Sequence, residues 1–520
     1  MIYNLFFSTI LTVLMIGADF IFKLKYKNYI QWHKKLLKDI GGIFLVNLLI
    51  SFIPSFQTKF IIYTVIFLLI FIQHFHYTFF RSYIMPYEII LLFEEGEEIF
   101  LTLKNTLKYM LFPVIIFVLA LFLTYMTLKF FACKLIYFQY AGVSFFVLLV
   151  IGLLLIGKDK REKFLPQRYF SSIKNIIYSF AYFLFREIPK LFVKTNKKFI
   201  PYEVKKLNNA LPNTVIVIMG ESLSSKRMSL FGYKEKTTPY LEKRKGLIYK
   251  KIFSSATVTK TSVVEFFNIR REPENIEHLI HQNCNLFKLA KSQGYKTHYI
   301  TTQKINILGN YIGDCDVVMS DKDFNKSKLY DEALVEYLKK VDFNKKNFIV
   351  LHQRNSHSPY EDNVPEKFYK YNFKHKDFHK YMLNSYLNSV LYTDYLYDKI
   401  FDIVDGLQKE AVVFITSDHG EMLGFEDEKG QYGHTVLDFE VLKVPLIIYK
   451  NRHCKMDFNI ENIISHYQFA KLIANTIGFD IVNKNEDGVF YANGTDIRGN
   501  HGYLKYTFKD YYEKYSNINN

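Results

Sequence analysis

The residues most able to do chemistry sit in the second half of the chain, where Thr416-Ser417-Asp418-His419-Gly420-Glu421 follows the apolar run Val412-Val413-Phe414-Ile415. A strand ending in adjacent Asp and His presents a carboxylate and an imidazole at the C-terminal edge of a sheet, where open α/β folds bind ligands. One hard and one borderline donor side by side suit Zn²⁺. A second apolar run, Val215 to Met219, ends in Gly220-Glu221-Ser222 and supplies another carboxylate at an equivalent strand end. Between them lies Ser254 to Ser262, rich in hydroxyls, with Thr257, Thr259 and Thr261 spaced by two. That stretch is able to place an alcohol on a metal, and its alternation also suits a plain strand. Glu, Thr, Asp and His together make a four-donor set for one zinc.

With these residues in view, the chain resembles the phosphoethanolamine transferases of the alkaline phosphatase superfamily, which include lipid A-modifying and mobile colistin-resistance enzymes. The resemblance rests on Gly220-Glu221-Ser222, Ser229-Leu230-Phe231-Gly232-Tyr233, Thr237-Thr238-Pro239, Leu351-His352-Gln353 with His357, Ser417 to Glu421, and Gly433-His434, taken in that order. It implies a zinc shell of Glu221, Thr259, Asp418 and His419, with Thr259 as nucleophile and His357 and His434 on the phosphate or a second metal. Glu421 is expected to orient His419 or a metal-bound oxygen, and Lys260 and His352 to add positive charge. The implied reaction takes phosphoethanolamine from phosphatidylethanolamine through a phospho-threonine to lipid A or a lipooligosaccharide core, a lipopolysaccharide modification linked to polymyxin resistance. Where lipid A-specific members staple the nucleophile loop with two cysteines, this chain has Ser255 and Glu265, and Val264 stands for the usual Pro. The acceptor is therefore left open.

Three other readings compete. A sulfatase or phosphodiesterase would need a modified Cys or Ser in a Cys/Ser-x-Pro-x-Arg segment, which is missing. A glycerol-phosphate polymerase of the lipoteichoic acid type also pairs several spans with a Thr nucleophile, but Ser417 to Glu421 fits the transferases better. A sensor or scaffold without chemistry is opposed by the intact ligand set.

These residues need elements to carry them. At 520 residues the chain exceeds one core. Apolar stretches near Tyr3–Ile21, Ile40–Ile53, Phe60–Phe80, Met110–Phe130 and Ile136–Ile156 predict about five transmembrane helices, since about 20 apolar residues cross a bilayer. The first lacks a basic leader and a small-residue cleavage site, so it reads as a retained anchor. An odd number of spans from a cytoplasmic N-terminus puts the C-terminal part in the periplasm of an inner-membrane protein. The lysines from Lys23 to Lys38 run against that orientation, although large domains translocate largely regardless of charge.

The expected organisation is a transmembrane domain over 1–157, an interfacial linker over 158–210 with an amphipathic helix from Tyr169 to Lys194, and a catalytic domain over 211–520. In the last, strands at Thr214–Met219, Thr297–Ile300, Asn347–Leu351, Ala411–Ile415 and Val444–Tyr449 alternate with helices at Ile276–Ser292, Asp331–Lys340, Tyr381–Leu407 and Tyr467–Ile477. That alternation predicts a doubly wound α/β sheet of the alkaline phosphatase/sulfatase kind.

Glu94, Glu95, Glu97 and Glu98 between the third and fourth spans are placed either to meet the donor's ammonium or to be simply solvated. The net charge of +17 comes without a nucleic-acid motif and is dispersed, so a membrane surface or an anionic glycolipid is the better partner. A monomer is expected. Of the four cysteines, Cys284 and Cys315 are the most plausible disulfide, and none has metal-ligand spacing.

Overall fold

The computed structural model describes residues 1–26, 34–89, 96, 102, 104–158, 171–190, 201–304, 312–313, 315–324 and 330–516. The chain folds as two compact units, Met1–Lys194 and Thr195–Asn520.

The first unit is helical. Helices Ile2–Lys25, Phe56–Phe80 and Leu111–Phe131 are long and apolar enough to cross a membrane. Helices Lys34–Ser51 and Ala141–Lys158 stand at the other two expected spans, the former shorter and carrying Lys34, Lys35, Lys38 and Asp39 near its start. Phe7, Leu11, Tyr63, Phe67, Ala120 and Leu128 form an inner core. Ile61, Val65, Ile115, Leu119 and Phe122 remain exposed, so these helices are apolar all round, as membrane spans are.

Some buried polar side chains inside this unit pair across helices, which lowers the cost of burying them in a low-dielectric interior: Asn4 donates to Ser51 and Asn47 to Thr12, each at 3.0 Å. The His74 and Asp19 side chains meet at 2.7 Å, and the second Asp19 oxygen accepts from Ser172 N at 2.7 Å. Ser172 opens the helix Ser172–Tyr182, which continues through a wide turn at Phe183–Glu187. The helix expected at the interface thus packs within the first unit. The acidic cluster of Glu94, Glu95, Glu97 and Glu98 lies outside the described residues.

The second unit is built on a mixed sheet of seven strands: β1 Thr214–Gly220, β2 Ile248–Phe253, β3 Lys296–Thr301, β4 Val317–Met319, β5 Asn347–His352, β6 Ala411–Ser417 and β7 Lys443–Lys450. Their spatial order is β2-β7-β6-β1-β5-β3-β4. The central strands are β-branched and apolar, with every residue of β1, β5 and β6 buried, as expected of a sheet covered on both faces.

β1 pairs in parallel with β5 and β6, and β5 with β3. β7 is reversed and antiparallel to both β6 and β2, so β2 again runs with β1. β4 is parallel to β3, so five parallel strands and β2 end along one edge of the sheet. Helices Phe378–Asp405 and His466–Thr476 fall close to their expected ranges.

Three sequence expectations need correction. The helix predicted over Ile276–Ser292 is two helices, Ile276–His281 and Leu286–Ser292. The break comes at Gln282, in the left-handed region at φ 53°, and Asn285 restarts the chain by accepting from the Phe287 and Lys288 amides. The threonine alternation does not form a strand, because Thr259 begins the helix Thr259–Phe267. The Cys284–Cys315 disulfide does not form, and none of the four cysteines is in a disulfide. Cys284 packs as a small apolar group in the core, its thiol pushed up to about 12 by burial, while Cys315 Sγ turns to the Ile312 carbonyl at 3.1 Å.

Candidate metal centre at the sheet edge

Glu221 directly follows β1, Asp418 and His419 directly follow β6, and Gln303 stands two residues beyond β3. The parallel register brings these strand ends together: Gly220 lies opposite Ser417 and Met219 opposite His352. Thr259 arrives from the neighbouring strand end, where β2 runs out at Phe253 and Ser254 N is bonded to the Leu442 carbonyl.

The four expected donors converge. Thr259 Oγ1 is 3.2 Å from Glu221 Oε2 and 3.4 Å from His419 Nε2. His419 Nε2 is in turn 3.3 Å from Asp418 Oδ2 and 3.7 Å from Glu221 Oε1. Glu221, Asp418 and His419 are fully buried.

Each donor is aimed by its neighbours. His419 Nδ1 donates to the Gly420 carbonyl at 2.9 Å, so Nε2 presents its lone pair to the centre. Asp418 Oδ1 accepts from the amides of Ser222 and His419 at 2.9 and 2.8 Å, leaving Oδ2, buried and without a conventional hydrogen bond, toward His419. Ser222 adopts φ 52°, an uncommon conformation for a non-glycine residue, and its hydroxyl donates to Glu221 Oε1 at 2.7 Å. Gly420 admits no side chain, since a Cβ there would lie 2.9 Å from the Val441 carbonyl oxygen and 3.1 Å from that of Lys443.

Burial raises the Asp418 carboxyl above its ordinary range. Burial and the neighbouring His434 push the His419 imidazole down to about 4. The ring is therefore neutral and cannot itself balance the carboxylates. The Thr259 hydroxyl donates to Glu221 Oε2 at 3.2 Å, whereas the His419 Nε2 lone pair faces Asp418 Oδ2 and Glu221 Oε1 at 3.3 and 3.7 Å, a repulsion that a cation among them would relieve. The donor set and the unpartnered Asp418 Oδ2 fit a divalent metal with oxygen and nitrogen preference.

His434 adjoins this centre. Its ring lies over that of His419 with centroids 4.1 Å apart, and its Nδ1 meets Glu421 Oε2 at 2.9 Å. Glu421 thus bonds to His434, where the expected partner was His419 or a metal-bound oxygen. The His419, Glu421 and His434 ligand atoms form a second potential metal-binding group.

His357 stands in the loop beyond β5, its Nδ1 against the Ser358 carbonyl at 2.7 Å. His352, expected to add positive charge, does the opposite: burial pushes its imidazole down to about 4, leaving it a neutral link between Tyr299 OH at 2.7 Å and Gln303 Nε2 at 3.0 Å. Lys260 is the second residue of its helix, half-buried beside Thr259.

Several residues of the site carried no sequence signal. Gln303 donates to Glu221 Oε2 at 2.6 Å and to the Gln353 carbonyl at 2.7 Å, completing a chain from Glu221 to Tyr299. Ser262 donates to the Asp418 carbonyl at 2.5 Å. His466 accepts from Ser255 N at 3.2 Å and lies 3.1 Å from Thr416 Oγ1, fixing the start of the loop that leads to Thr259. The positions of the missing cysteines are filled by polar contacts. Ser255 bonds to Ser262, and Glu265, fully within the fold, accepts from Asn493 Nδ2 at 2.5 Å and pairs with Arg270 at 3.2 Å. Asn493 N closes the ring by donating to the Ser255 carbonyl at 2.7 Å.

Thr259 is also the first residue of a nine-residue helix. The leading amides of a helix have no intrahelical partner and carry partial positive charge, so an anionic group brought to Thr259 meets both a metal site and a helix N-terminus.

The profile of the Sulfatase family matches residues 213–479, just over half of the chain. Among curated proteins, the phosphoethanolamine transferase EptA of Helicobacter pylori is 27% identical over 341 residues, 59% of this chain and 61% of that protein. The Kdo(2)-lipid A phosphoethanolamine 7''-transferase of Escherichia coli is 26% identical over 272 residues, 50% of this chain and 47% of that protein. The aligned part spans less than two thirds of the length of each. Among solved structures, the integral membrane lipooligosaccharide phosphoethanolamine transferase A of Neisseria meningitidis aligns with a TM-score of 0.57 at 17% identity, covering 92% of this chain and 95% of that one. The C-terminal periplasmic domain of EptC from Escherichia coli aligns with a TM-score of 0.51 at 19% identity, covering 59% and 97%. These likenesses establish the fold.

Proposed function

The chain belongs to the sulfatase family, and on that footing we propose that it transfers phosphoethanolamine from phosphatidylethanolamine to an envelope glycolipid, lipid A or a lipooligosaccharide core. The observation that carries this reading is the Thr259 hydroxyl held within 3.4 Å of both Glu221 and His419 at a helix N-terminus. A phosphoryl-transfer nucleophile needs this environment. The relatives named for phosphoethanolamine transfer support the choice of group.

Zinc held by Glu221, Thr259, Asp418 and His419 would lower the pKa of the threonine hydroxyl and polarise a phosphoryl oxygen. Thr259 Oγ1 forms a bond to phosphorus as the bond from phosphorus to the diacylglycerol oxygen breaks, leaving phosphoethanolamine on Thr259. The proton that Thr259 loses passes to His434, whose Nδ1 is committed to Glu421, or to His357; the imidazolium so formed neutralises charge on the other phosphoryl oxygens and gives the proton to the departing oxygen. In the second half an acceptor oxygen attacks the same phosphorus, and the bond to Thr259 breaks.

The net charge of +17 suits an anionic acceptor. The membrane-length helices suit a monomeric inner-membrane protein with its catalytic part in the periplasm.

Incubation with phosphatidylethanolamine and no acceptor, followed by intact-mass analysis and peptide mapping, should reveal a phosphoethanolamine adduct on Thr259 that Thr259→Ala lacks. Zinc should stay partly bound in that variant through Glu221, Asp418 and His419. An adduct on another residue, or turnover by Thr259→Ala, refutes the assignment. Release of phosphoethanolamine to water in place of transfer points to a hydrolase.

A further inference from the structure

Two tyrosines outside the motifs grip the two halves of the site. Tyr386, on the long helix Phe378–Asp405, donates through its hydroxyl to the Ser222 carbonyl at 2.7 Å and accepts from Ser224 N at 2.8 Å. It therefore clamps the left-handed turn at Ser222, whose amide holds Asp418 Oδ1 and whose hydroxyl holds Glu221 Oε1. Tyr360, in the loop beyond β5, donates to Glu421 Oε1 at 2.8 Å, and the other oxygen of that carboxylate takes His434 Nδ1 at 2.9 Å. The two rings meet edge to face, with centroids 5.1 Å apart and planes at 82°. Both side chains are fully buried.

We propose that Tyr360 and Tyr386 are a coupled pair of positioning residues, Tyr386 for the metal donors Glu221 and Asp418, and Tyr360, through Glu421, for His434. The division of labour follows from the geometry. The Tyr386 hydroxyl bonds to the turn that aims the carboxylates, and no substrate group needs to meet it. Tyr360 fixes the carboxylate that sets the His434 tautomer: with the proton on Nδ1 facing Glu421, Nε2 is the basic nitrogen. The packed rings make each hydroxyl the reference for the other, so the metal donors and His434 keep one relative placement. The role of His434 here rests on the phosphotransfer reading above, whereas that of Tyr386 needs only a metal.

The test uses the full-length chain in detergent with Tyr360→Phe and Tyr386→Phe, which keep the rings and remove one hydroxyl each. Zn²⁺ affinity is measured by chelator competition, kcat and KM by phosphoethanolamine transfer, and exposure of His434 by its carbethoxylation rate mapped by mass spectrometry. Tyr386→Phe should weaken Zn²⁺ binding by about 10- to 100-fold, the usual effect of losing a partner behind a ligand. Tyr360→Phe should weaken Zn²⁺ binding less than Tyr386→Phe does, lower kcat with little change in KM, and raise the carbethoxylation rate of His434 severalfold.

Wild-type Zn²⁺ affinity in Tyr386→Phe, or wild-type kcat and His434 reactivity in Tyr360→Phe, overturns the proposal. So does an identical profile in both variants with an equal fall in melting temperature, which marks simple packing. If the wild type forms no adduct with donor, the phosphotransfer reading fails by itself, and Zn²⁺ affinity and His434 reactivity still decide the pair.

Discussion

Glu265→Gln probes how the helix that Thr259 begins is held. Glu265 lies on the helix that begins with Thr259, 4% exposed, between Asn493 Nδ2 and the Arg270 guanidinium. Burial pushes its carboxyl up from 4.5 to about 7, a rise that the opposing charge of Arg270 only partly cancels. The folded chain therefore binds this proton more tightly than the unfolded chain. The stability so gained is full below about pH 4.5 and is lost as the pH rises through 7. A difference of about 2.5 units at about 1.4 kcal/mol each amounts to about 3 kcal/mol.

Glutamine has the shape of the protonated acid and does not titrate. The stability difference between Glu265→Gln and wild type should thus move toward the variant by about 3 kcal/mol between pH 5 and pH 8. Hydrogen exchange of amides in residues 259–268, compared between the two proteins at each pH, cancels the intrinsic exchange rate and reads this difference as a ratio of protection factors. The ratio should shift by about a hundredfold in favour of the variant. A ratio constant with pH, or one moving toward wild type, would show that the Arg270 pair stays ionised throughout and that burial does not govern Glu265.

Gly420→Ala should cost the chain its metal site, because a Cβ at 2.9 and 3.1 Å from two backbone oxygens forces His419 away from Glu221. Zinc content of the purified variant checks this, and stoichiometric zinc would contradict it. Phe253→Ala should destabilise the second unit by about 3–5 kcal/mol, since Phe253 is fully buried among the rings of Phe439, Tyr506, Tyr511 and Tyr515. Urea titration measures the loss, and early proteolytic cleavage near Phe508–Ser516 should accompany it.

Some of this protein was legible along the chain. The runs that became β1, β5 and β6 are so continuously apolar that only a sheet covered on both faces can bury them, and such a sheet puts the residues after its parallel strands on one edge. Glu221, Asp418 and His419 were readable for that reason, as were the membrane-length helices. Thr259 was readable as an alcohol donor, but its element was not. Thr-Val-Thr-Lys-Thr-Ser-Val-Val has the β-branched composition of a strand, yet from Thr259 it is helical, with Val258 supplying no side-chain cap. Its neighbours hold it there: His466 on Ser255 and Asn493 on Ser255, Thr257 and Glu265.

The broken helix at Gln282 and the missing Cys284–Cys315 disulfide have the same origin, since a local pattern does not report which buried neighbour a side chain will meet. Gln303, Tyr360 and Tyr386 show it most clearly. Each is ordinary in sequence, and Gln303 and Tyr386 meet the Glu221–Ser222 turn from 82 and 164 residues away. Residue type and local hydrophobic pattern determine which donors stand at strand ends. The nitrogen of His419 that faces the centre and the angle of Glu221 are decided by hydrogen bonds that exist only once the strands and the helix Phe378–Asp405 have packed, because a hydrogen bond acts over about 3 Å whatever the separation along the chain.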